Sequence, residues 1–155
     1  LFNYIGFYLS SEPFSLSGTL IGFLFLVYLL GIWSSNAAGK LVSARGARTV
    51  LLAALVMMLA GILLCLVPWL PLIIVGLALF TTGFFAAHAV ASGLVGQRAG
   101  GARAQASALY LCAYYLGSSV LGYVMGWVWQ HWGWVPLLGC LAAALLLAMV
   151  RAWRL

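Results

Sequence analysis

A short basic segment separates two long apolar runs, and it reads Gly39-Lys40-Leu41-Val42-Ser43-Ala44-Arg45-Gly46-Ala47-Arg48. The run before it, residues 13–39, contains no Lys, Arg, Asp or Glu, and neither does the run after it, residues 49–97. A charged side chain at the centre of a membrane helix costs roughly 3 kcal/mol on insertion scales, so such runs are typical of membrane spans. The segment therefore predicts a basic loop between two spans.

The composition points the same way. Of the 155 residues, 66% are hydrophobic and only 5% are charged, with a mean hydropathy of +1.18. Soluble domains carry about a quarter charged residues, so a soluble fold is excluded. Glu12 is the single acidic residue against seven Lys and Arg, which gives a formal net charge of +6. Because these cations lie in small clusters between apolar runs, they indicate membrane topology determinants, and no nucleic-acid partner is expected.

Six apolar segments predict an all-α, polytopic membrane helix bundle. They lie at about 1–9, 18–37, 49–67, 72–95, 104–129 and 134–150. Nine residues of helix extend only about 14 Å, less than half of the hydrocarbon core of a bilayer. We therefore expect the first span to be truncated and the chain to be a fragment of a longer membrane protein.

The cations also predict the orientation of the bundle. Every Lys and Arg lies in one of three segments, 40–48, 96–103 and 151–155, whereas the alternate connections contain none. Basic connections of membrane proteins stay on the cytoplasmic side. The sequence therefore predicts cytoplasmic basic segments and a cytoplasmic carboxy-terminus, with several tryptophans at the opposite interface.

Polar side chains are distributed unevenly among the spans. Residues 50–67 of the third span and 135–150 of the sixth contain no polar side chain beyond Cys65 and Cys140, while the other four spans carry Tyr, Ser, Thr, Asn or His. Polar groups inside a membrane face the bundle interior or a wet cavity. We therefore expect the third and sixth spans to lie outside, against lipid, and the other four to lie inside.

The basic segment resembles the signature loop that joins the second and third helices in each half of major facilitator transporters. Gly39 and Gly46 keep the glycine spacing of that loop and Arg48 keeps a terminal cation, while Ser43 stands where the family usually has Asp. The stretches 84–92 and 110–119 resemble the carboxy-terminal half of bacterial drug–proton antiporters of this family. The Trp-Gly-Trp turn at 132–134 is also similar.

This resemblance implies half of a major facilitator fold, with a missing amino-terminal half of the same protein as partner and no cofactor. It implies a secondary active transporter of the bacterial inner membrane, with proton-coupled efflux of small amphipathic molecules by alternating access. The chain would form one wall of the central cavity. The role of a conformational loop would fall on Gly39, Arg45, Gly46 and Arg48.

Several residues are candidates for the transport site. Those for the substrate cavity are Asn3, Tyr4, Tyr28, Tyr110 and Tyr114. Tyrosine joins an apolar ring to a polar tip, which suits an amphipathic substrate, although the same side chains also suit hydrogen bonds between packed helices. His88 is an ionisable side chain within a span, so it is the candidate for proton coupling. The alternative is a neutral histidine bonded to a neighbouring helix.

Other classes of function fit the sequence less well. An enzyme within the membrane needs paired acids, a metal site or a nucleophile beside a base, and the sequence has no Asp and one Glu. The cysteines show no ligand spacing, so neither a metal site nor a catalytic site is expected. A structural or assembly membrane protein without transport activity stays open as the alternative.

Overall fold

The computed structural model describes residues 1–154, which contain helices and no β-strand. The helices are α1 (Phe2–Ser10), α2 (Gly18–Leu24), α3 (Leu29–Arg45), α4 (Ala47–Leu64), α5 (Leu70–Arg98), α6 (Arg103–Trp132) and α7 (Trp134–Trp153). A 3-10 turn joins α2 to α3, so that Gly18–Arg45 forms one long helical span. Five spans are long and apolar enough to cross a membrane, and α1 has nine residues. The predicted all-α membrane bundle is confirmed.

The helices extend further than the apolar runs. The second span continues to Arg45 where the sequence predicts an end at Ala37, and the fourth continues to Arg98. Hydropathy marks the edge of the hydrocarbon core, whereas a helix can continue through the interface, where Lys and Arg are tolerated. The prediction of a basic loop at 39–48 is therefore wrong: α3 and α4 cover this segment except for Gly46.

Single glycines form two of the sharpest connections. Gly46 joins α3 to α4 with φ 79° and ψ 150°, and Gly133 joins α6 to α7 with φ 78° and ψ −158°. These backbone angles are open almost only to glycine. One corner follows the second span and the other follows the fifth, at opposite ends of the bundle. This placement is that expected of two three-span repeats with inverted topology.

The closest helix packing is the glycine seam between α4 and α5, which we define by Gly61, Gly76 and Gly83. A Cβ atom on Gly61 would lie 2.5 Å from the carbonyl oxygen of Gly76, and one on Gly83 would lie 2.5 Å from the carbonyl oxygen of Ala54. Real Cβ atoms do not approach backbone oxygens this closely, so only glycine fits at these positions. Small residues in membrane bundles let helix backbones come together in this way.

The third span is not simply an outer helix. In the most apolar 18-residue stretch of α4, 33% of the residues are buried, the largest share among the five spans. In the corresponding stretch of α6 no residue is buried. The reason is that α4 packs against both α5 and α7, and only its remaining face, with Val56 and Leu63, is exposed. The polarity of a span indicates which faces avoid lipid, but it does not give the number of neighbouring helices.

Both ends of α7 are held on α4. At one end the buried Trp134 donates a hydrogen bond from Nε1 to the carbonyl oxygen of Cys65, with an N–O distance of 2.9 Å. At the basic end the Arg48 guanidinium carbon lies 4.5 Å from the centre of the Trp153 ring, a cation–π contact. These two contacts fix the sixth span against the third.

Candidate functional site

A cavity of about 760 Å³ opens between α1, α4, α5, α6 and α7, and we call it the central cavity. The helices α4 and α7 contribute only apolar side chains to it, Met58, Ile62, Leu141, Ala144 and Leu145. The polar lining comes from the other helices and from the turn before α3. It consists of Asn3, Tyr4, Tyr28, Thr81, His88, Tyr114, Tyr115 and Ser118. The cavity thus has an apolar side and a mixed, aromatic side.

Four of the five tyrosine and asparagine candidates lie on the central cavity, and Tyr110 does not. Tyr110 lines a second cavity of about 440 Å³, which we call the side cavity, together with Arg151 near the basic end of α7. Met58, Phe84, His88 and Tyr114 line both cavities. These four side chains therefore form the partition between the central and the side cavity.

The partition is held by a hydrogen bond. The Tyr110 hydroxyl oxygen lies 2.9 Å from His88 Nδ1. A neutral ring protonated at Nε2 accepts the hydroxyl proton at Nδ1, and a protonated ring donates to the same oxygen. The ring of His88 also packs against Tyr114 with centroids 4.9 Å apart, and lies 6.1 Å from Phe84 in a stacked arrangement. The contact therefore suits both protonation states of the histidine.

Tyr4 contacts the cavity and a neighbouring helix at once. Its hydroxyl donates to the carbonyl oxygen of Gly122 on α6, with an O–O distance of 2.6 Å, and its ring stacks on Trp129. A Cβ atom on Gly126 would lie 2.9 Å from that hydroxyl, so the glycines of α6 make room for the side chain. The sequence left open whether Tyr4 lines a cavity or forms a hydrogen bond between packed helices. It does both, because its side chain lines the central cavity and its hydroxyl links α1 to α6.

Thr81 also lines the central cavity, although it is not among the candidates predicted from the sequence. It is 1% exposed, and its Oγ1 has no hydrogen-bond partner among the described residues. The neighbouring Thr82 hydroxyl donates to the carbonyl oxygen of Ala78 on the same helix, at 2.8 Å. A signal existed in the sequence, since Thr81 and His88 are about two helical turns apart and share one face of α5.

The basic corner lies apart from both cavities. Gly39 is within α3, Arg45 is its last residue, Gly46 is the corner itself and Arg48 is in the first turn of α4. None of the four lines the central or the side cavity.

Across residues 1–154 there is no group of three His, Cys, Asp or Glu side chains that could hold a metal ion.

Comparison with known proteins gives several relatives. The chain is 44% identical over all of its residues to the inner membrane transport protein YnfM of Escherichia coli, and 41% identical over 96% of its residues to the uncharacterized MFS-type transporter YybF of Bacillus subtilis. It is 39% identical over its whole length to an uncharacterized transporter of Buchnera aphidicola. No family model and no solved structure matches the chain.

The chain spans only 37–38% of the length of these relatives. Their names agree with the membrane transport and the family type expected from the resemblance, and efflux and antiport do not appear in them. The chain is therefore a multi-pass membrane helix bundle, similar over its length to part of bacterial transporters, one of them named as a transporter of the major facilitator type.

Proposed function

We propose that the chain is the carboxy-terminal half of a secondary active transporter of the major facilitator type, and that the central cavity is its share of the substrate path. The observation that carries the proposal is the cavity itself, where Asn3, Tyr4, Tyr28 and Tyr114 come together from α1, the turn before α3 and α6. The match to only 37–38% of the length of the relatives supports a half-transporter. A structural or assembly protein has no need of such a cavity.

The lining favours small amphipathic substrates. A volume of about 760 Å³ lies within the range of cavities for small molecules, which are mostly apolar with a few polar groups. Rings of Tyr28, Phe84, Phe85 and Tyr114 border the space, and no acidic residue lines it. Glu12, the one acid, lies between α1 and α2. Aromatic faces attract neutral apolar groups and diffuse cations, so the substrate class is neutral or weakly cationic.

His88 is the proton carrier in this proposal. It lies in the partition between the two cavities and keeps its contact with Tyr110 in either protonation state. A histidine changes charge near neutral pH, and an ionisable group within a membrane span commonly belongs to an ion pathway. A proton on His88 would then repel the cationic form of a substrate in the adjoining cavity, so that proton and substrate occupy the site in turn, which couples the two movements.

Alternating access requires a second half. In the most apolar stretch of α6 no residue is buried, and in that of the span formed by α2 and α3 only 11% are. The exposed surface of α6 includes the polar side chains Tyr115, Ser118 and Ser119. We propose that the amino-terminal half of the same protein covers these faces and rocks against them. The basic corner at Gly39, Arg45, Gly46 and Arg48 lies on the cytoplasmic side of an inner membrane and moves with this rocking.

Transport assays test the proposal. Inside-out membrane vesicles carry the full-length transporter, an acidic lumen drives the exchange, and the probes are fluorescent amphipathic dyes, some neutral and some monocationic. We expect gradient-driven uptake of at least one dye, and a reduction of about tenfold with His88→Ala at equal membrane abundance. Tyr110→Phe should reduce uptake less, since the ring remains.

The control is Leu147→Met, because Leu147 lies on α7, is 69% exposed and lines neither cavity. This variant should transport like the unmodified protein. The absence of gradient-driven uptake for every dye would overturn the proposed substrate class. An unchanged rate with His88→Ala would overturn the role of the histidine.

A further inference from the structure

The side cavity is an open, largely apolar space between α4, α5, α6 and α7. Its lining is apolar except for His88, Tyr110, Tyr114 and Arg151. The Tyr110 hydroxyl and His88 Nδ1 already bond each other, at 2.9 Å. Arg151, the one charged side chain in the described part of the lining, is exposed. A ligand of the side cavity therefore meets an apolar surface with one accessible cation.

Contacts join three of the four pairs of neighbouring helices around the side cavity. The glycine seam holds α4 against α5, and the Tyr110–His88 hydrogen bond joins α5 to α6. Between α4 and α7, Ala152 is 4% exposed and packs in one buried cluster with Leu55. The Gly133 corner joins α6 to α7 at the end of α7 far from Arg151. This leaves the gap between α6 and α7, and the basic end of the bundle, as the openings of the side cavity.

Arg151 has no acidic side chain near it among the described residues. Glu12, the one acidic residue of the chain, lies between α1 and α2. The span Gly18–Arg45 begins after that connection and ends at the basic corner, where Arg48 contacts Trp153 of α7. Glu12 and Arg151 therefore lie at opposite ends of the bundle, and an anion that binds Arg151 must come from elsewhere.

We propose that the side cavity binds one anionic phospholipid of the membrane, with its phosphate on Arg151 and one acyl chain among the apolar side chains. Basic pockets between membrane helices bind anionic head groups, and a guanidinium forms paired hydrogen bonds with phosphate. Leu51 and Met58 of α4 both line the side cavity and are about 10 Å apart along the helix. One leaflet supplies about 15 Å of hydrocarbon, so the side cavity holds the larger part of one chain.

Lipid binding to the full-length transporter tests this assignment. The purified protein in detergent is titrated with phosphatidylglycerol, or with phosphatidylcholine of the same acyl chains, and native mass spectrometry gives the dissociation constant of the first bound lipid. We expect phosphatidylglycerol to bind about fivefold more tightly, the contribution of one basic residue near a membrane surface. Displacement of this lipid by an equal concentration of glycerol 3-phosphate, which lacks the chains, would overturn the assignment.

The first pair of variants tests the cation. Arg151→Gln should reduce the preference for phosphatidylglycerol about fivefold, to near one. The matched control is Arg154→Gln, because Arg154 is exposed at the same end of α7 and lines neither cavity, and it should keep the preference. Equal affinity for both lipids in the unmodified protein, or an Arg151→Gln variant that keeps the preference, would contradict the proposal.

The second pair of variants tests the place of the acyl chain. Ala148 is exposed on α7 and lines the side cavity, so Ala148→Phe should fold and should weaken both lipids about tenfold by displacing the chain. The matched control is Ala143→Phe, at an exposed position of α7 that lines neither cavity, and it should bind both lipids normally. Equal binding by these two variants would overturn the proposal and would be the result if the amino-terminal half filled the side cavity.

Lipid binding goes beyond the proposed transport and does not require it. A failure of gradient-driven dye uptake together with a lipid preference that depends on Arg151 would overturn the transport and leave the lipid site. Normal dye uptake without that preference would overturn the lipid site alone.

Discussion

The glycine seam and the exposed face of α6 are built in opposite ways. At the seam, Gly61 and Gly76 bring the backbones of α4 and α5 into direct contact, and α4 is the most buried span. The exposed face of α6 carries several large side chains, and none of the most apolar 18-residue stretch of this span is buried. Leu109 and Tyr115 there are 71% and 64% exposed. The seam is complete within this chain, whereas α6 presents a surface that a further partner can cover.

The central cavity lies between these two regions. Its apolar side comes partly from α4, which the seam holds in place, and Tyr114 and Ser118 come from α6. The contacts between α6 and the other helices of the chain are sparser than those between α4 and α5. They include two side-chain hydrogen bonds, Tyr4–Gly122 and Tyr110–His88. Since packed interfaces resist deformation and sparse ones yield, we expect conformational change to occur at α6 and not at the seam.

Substitution within the seam should have the largest effect. Gly61→Ala places a Cβ atom 2.5 Å from a backbone oxygen and 2.7 Å from the backbone nitrogen of Phe80. Because backbone atoms must move to relieve this overlap, we expect a loss of about 3 kcal/mol and a lower yield of folded protein. Thermal unfolding of the purified full-length transporter in detergent gives the measurement.

The matched control is Gly93→Ala, since Gly93 lies on the same helix α5 and nothing is within 4 Å of its added Cβ. Alanine favours helix more than glycine does, so this variant should be equal or slightly more stable. Equal stability of the two variants would show that the seam is not the rigid region.

Substitution at the corner that leads into α4 should have an intermediate effect. Gly46→Ala meets no atom within 4 Å, but it must adopt φ 79° with ψ 150°. Such backbone strain costs about 1–3 kcal/mol, so unfolding should occur at a lower temperature than for the unmodified protein. Gly39→Ala, within α3 and also without a close neighbour, serves as control and should not destabilise. Equal destabilisation by both would contradict the special role of the corner.

Loss of the cation–π contact between α4 and α7 should have the smallest effect. Arg48 lies 4.5 Å from the centre of the Trp153 ring, and both side chains are exposed. We expect Trp153→Leu to lower stability by about 0.5–1 kcal/mol, since an exposed contact of this kind contributes little. A double-mutant cycle with Arg48→Gln measures the coupling. A coupling energy near zero would show that the cation–π contact does not help to hold α7 on α4.

The sequence was sufficient for the class of fold and for most of the cavity lining. Runs without charges predict the helices, and polar side chains within them predict Asn3, Tyr4, Tyr28 and Tyr114 on one internal space. The sequence was insufficient at the basic segment, because cations end a hydrophobic run without ending a helix. It also left open how many helices the third span contacts, since an apolar helix packs equally well on lipid and on other helices.

Tyr110 and Thr81 show the same limit at the level of the site. A helical stripe on α6 groups Tyr110 with Tyr114, yet the pairing with His88 places Tyr110 on the side cavity. Thr81 and Thr82 are chemically alike in sequence, and only the packing of α5 decides which hydroxyl bonds its own helix. Periodicity gives the face of a helix, while the depth of a side chain depends on its neighbours in space.

Water access tests the central claim, that the α6 side of the cavity belongs to a transport path and the outer face of α7 to lipid. Single cysteines replace Ser118, which lines the central cavity, or Leu147, which is 69% exposed and lines neither cavity. The full-length transporter otherwise lacks Cys65, Cys112 and Cys140. A membrane-impermeant thiol reagent should label the Ser118→Cys variant, with substrate changing the accessible side, and leave Leu147→Cys unlabelled. Equal labelling of both, or labelling of Leu147→Cys alone, would contradict the account.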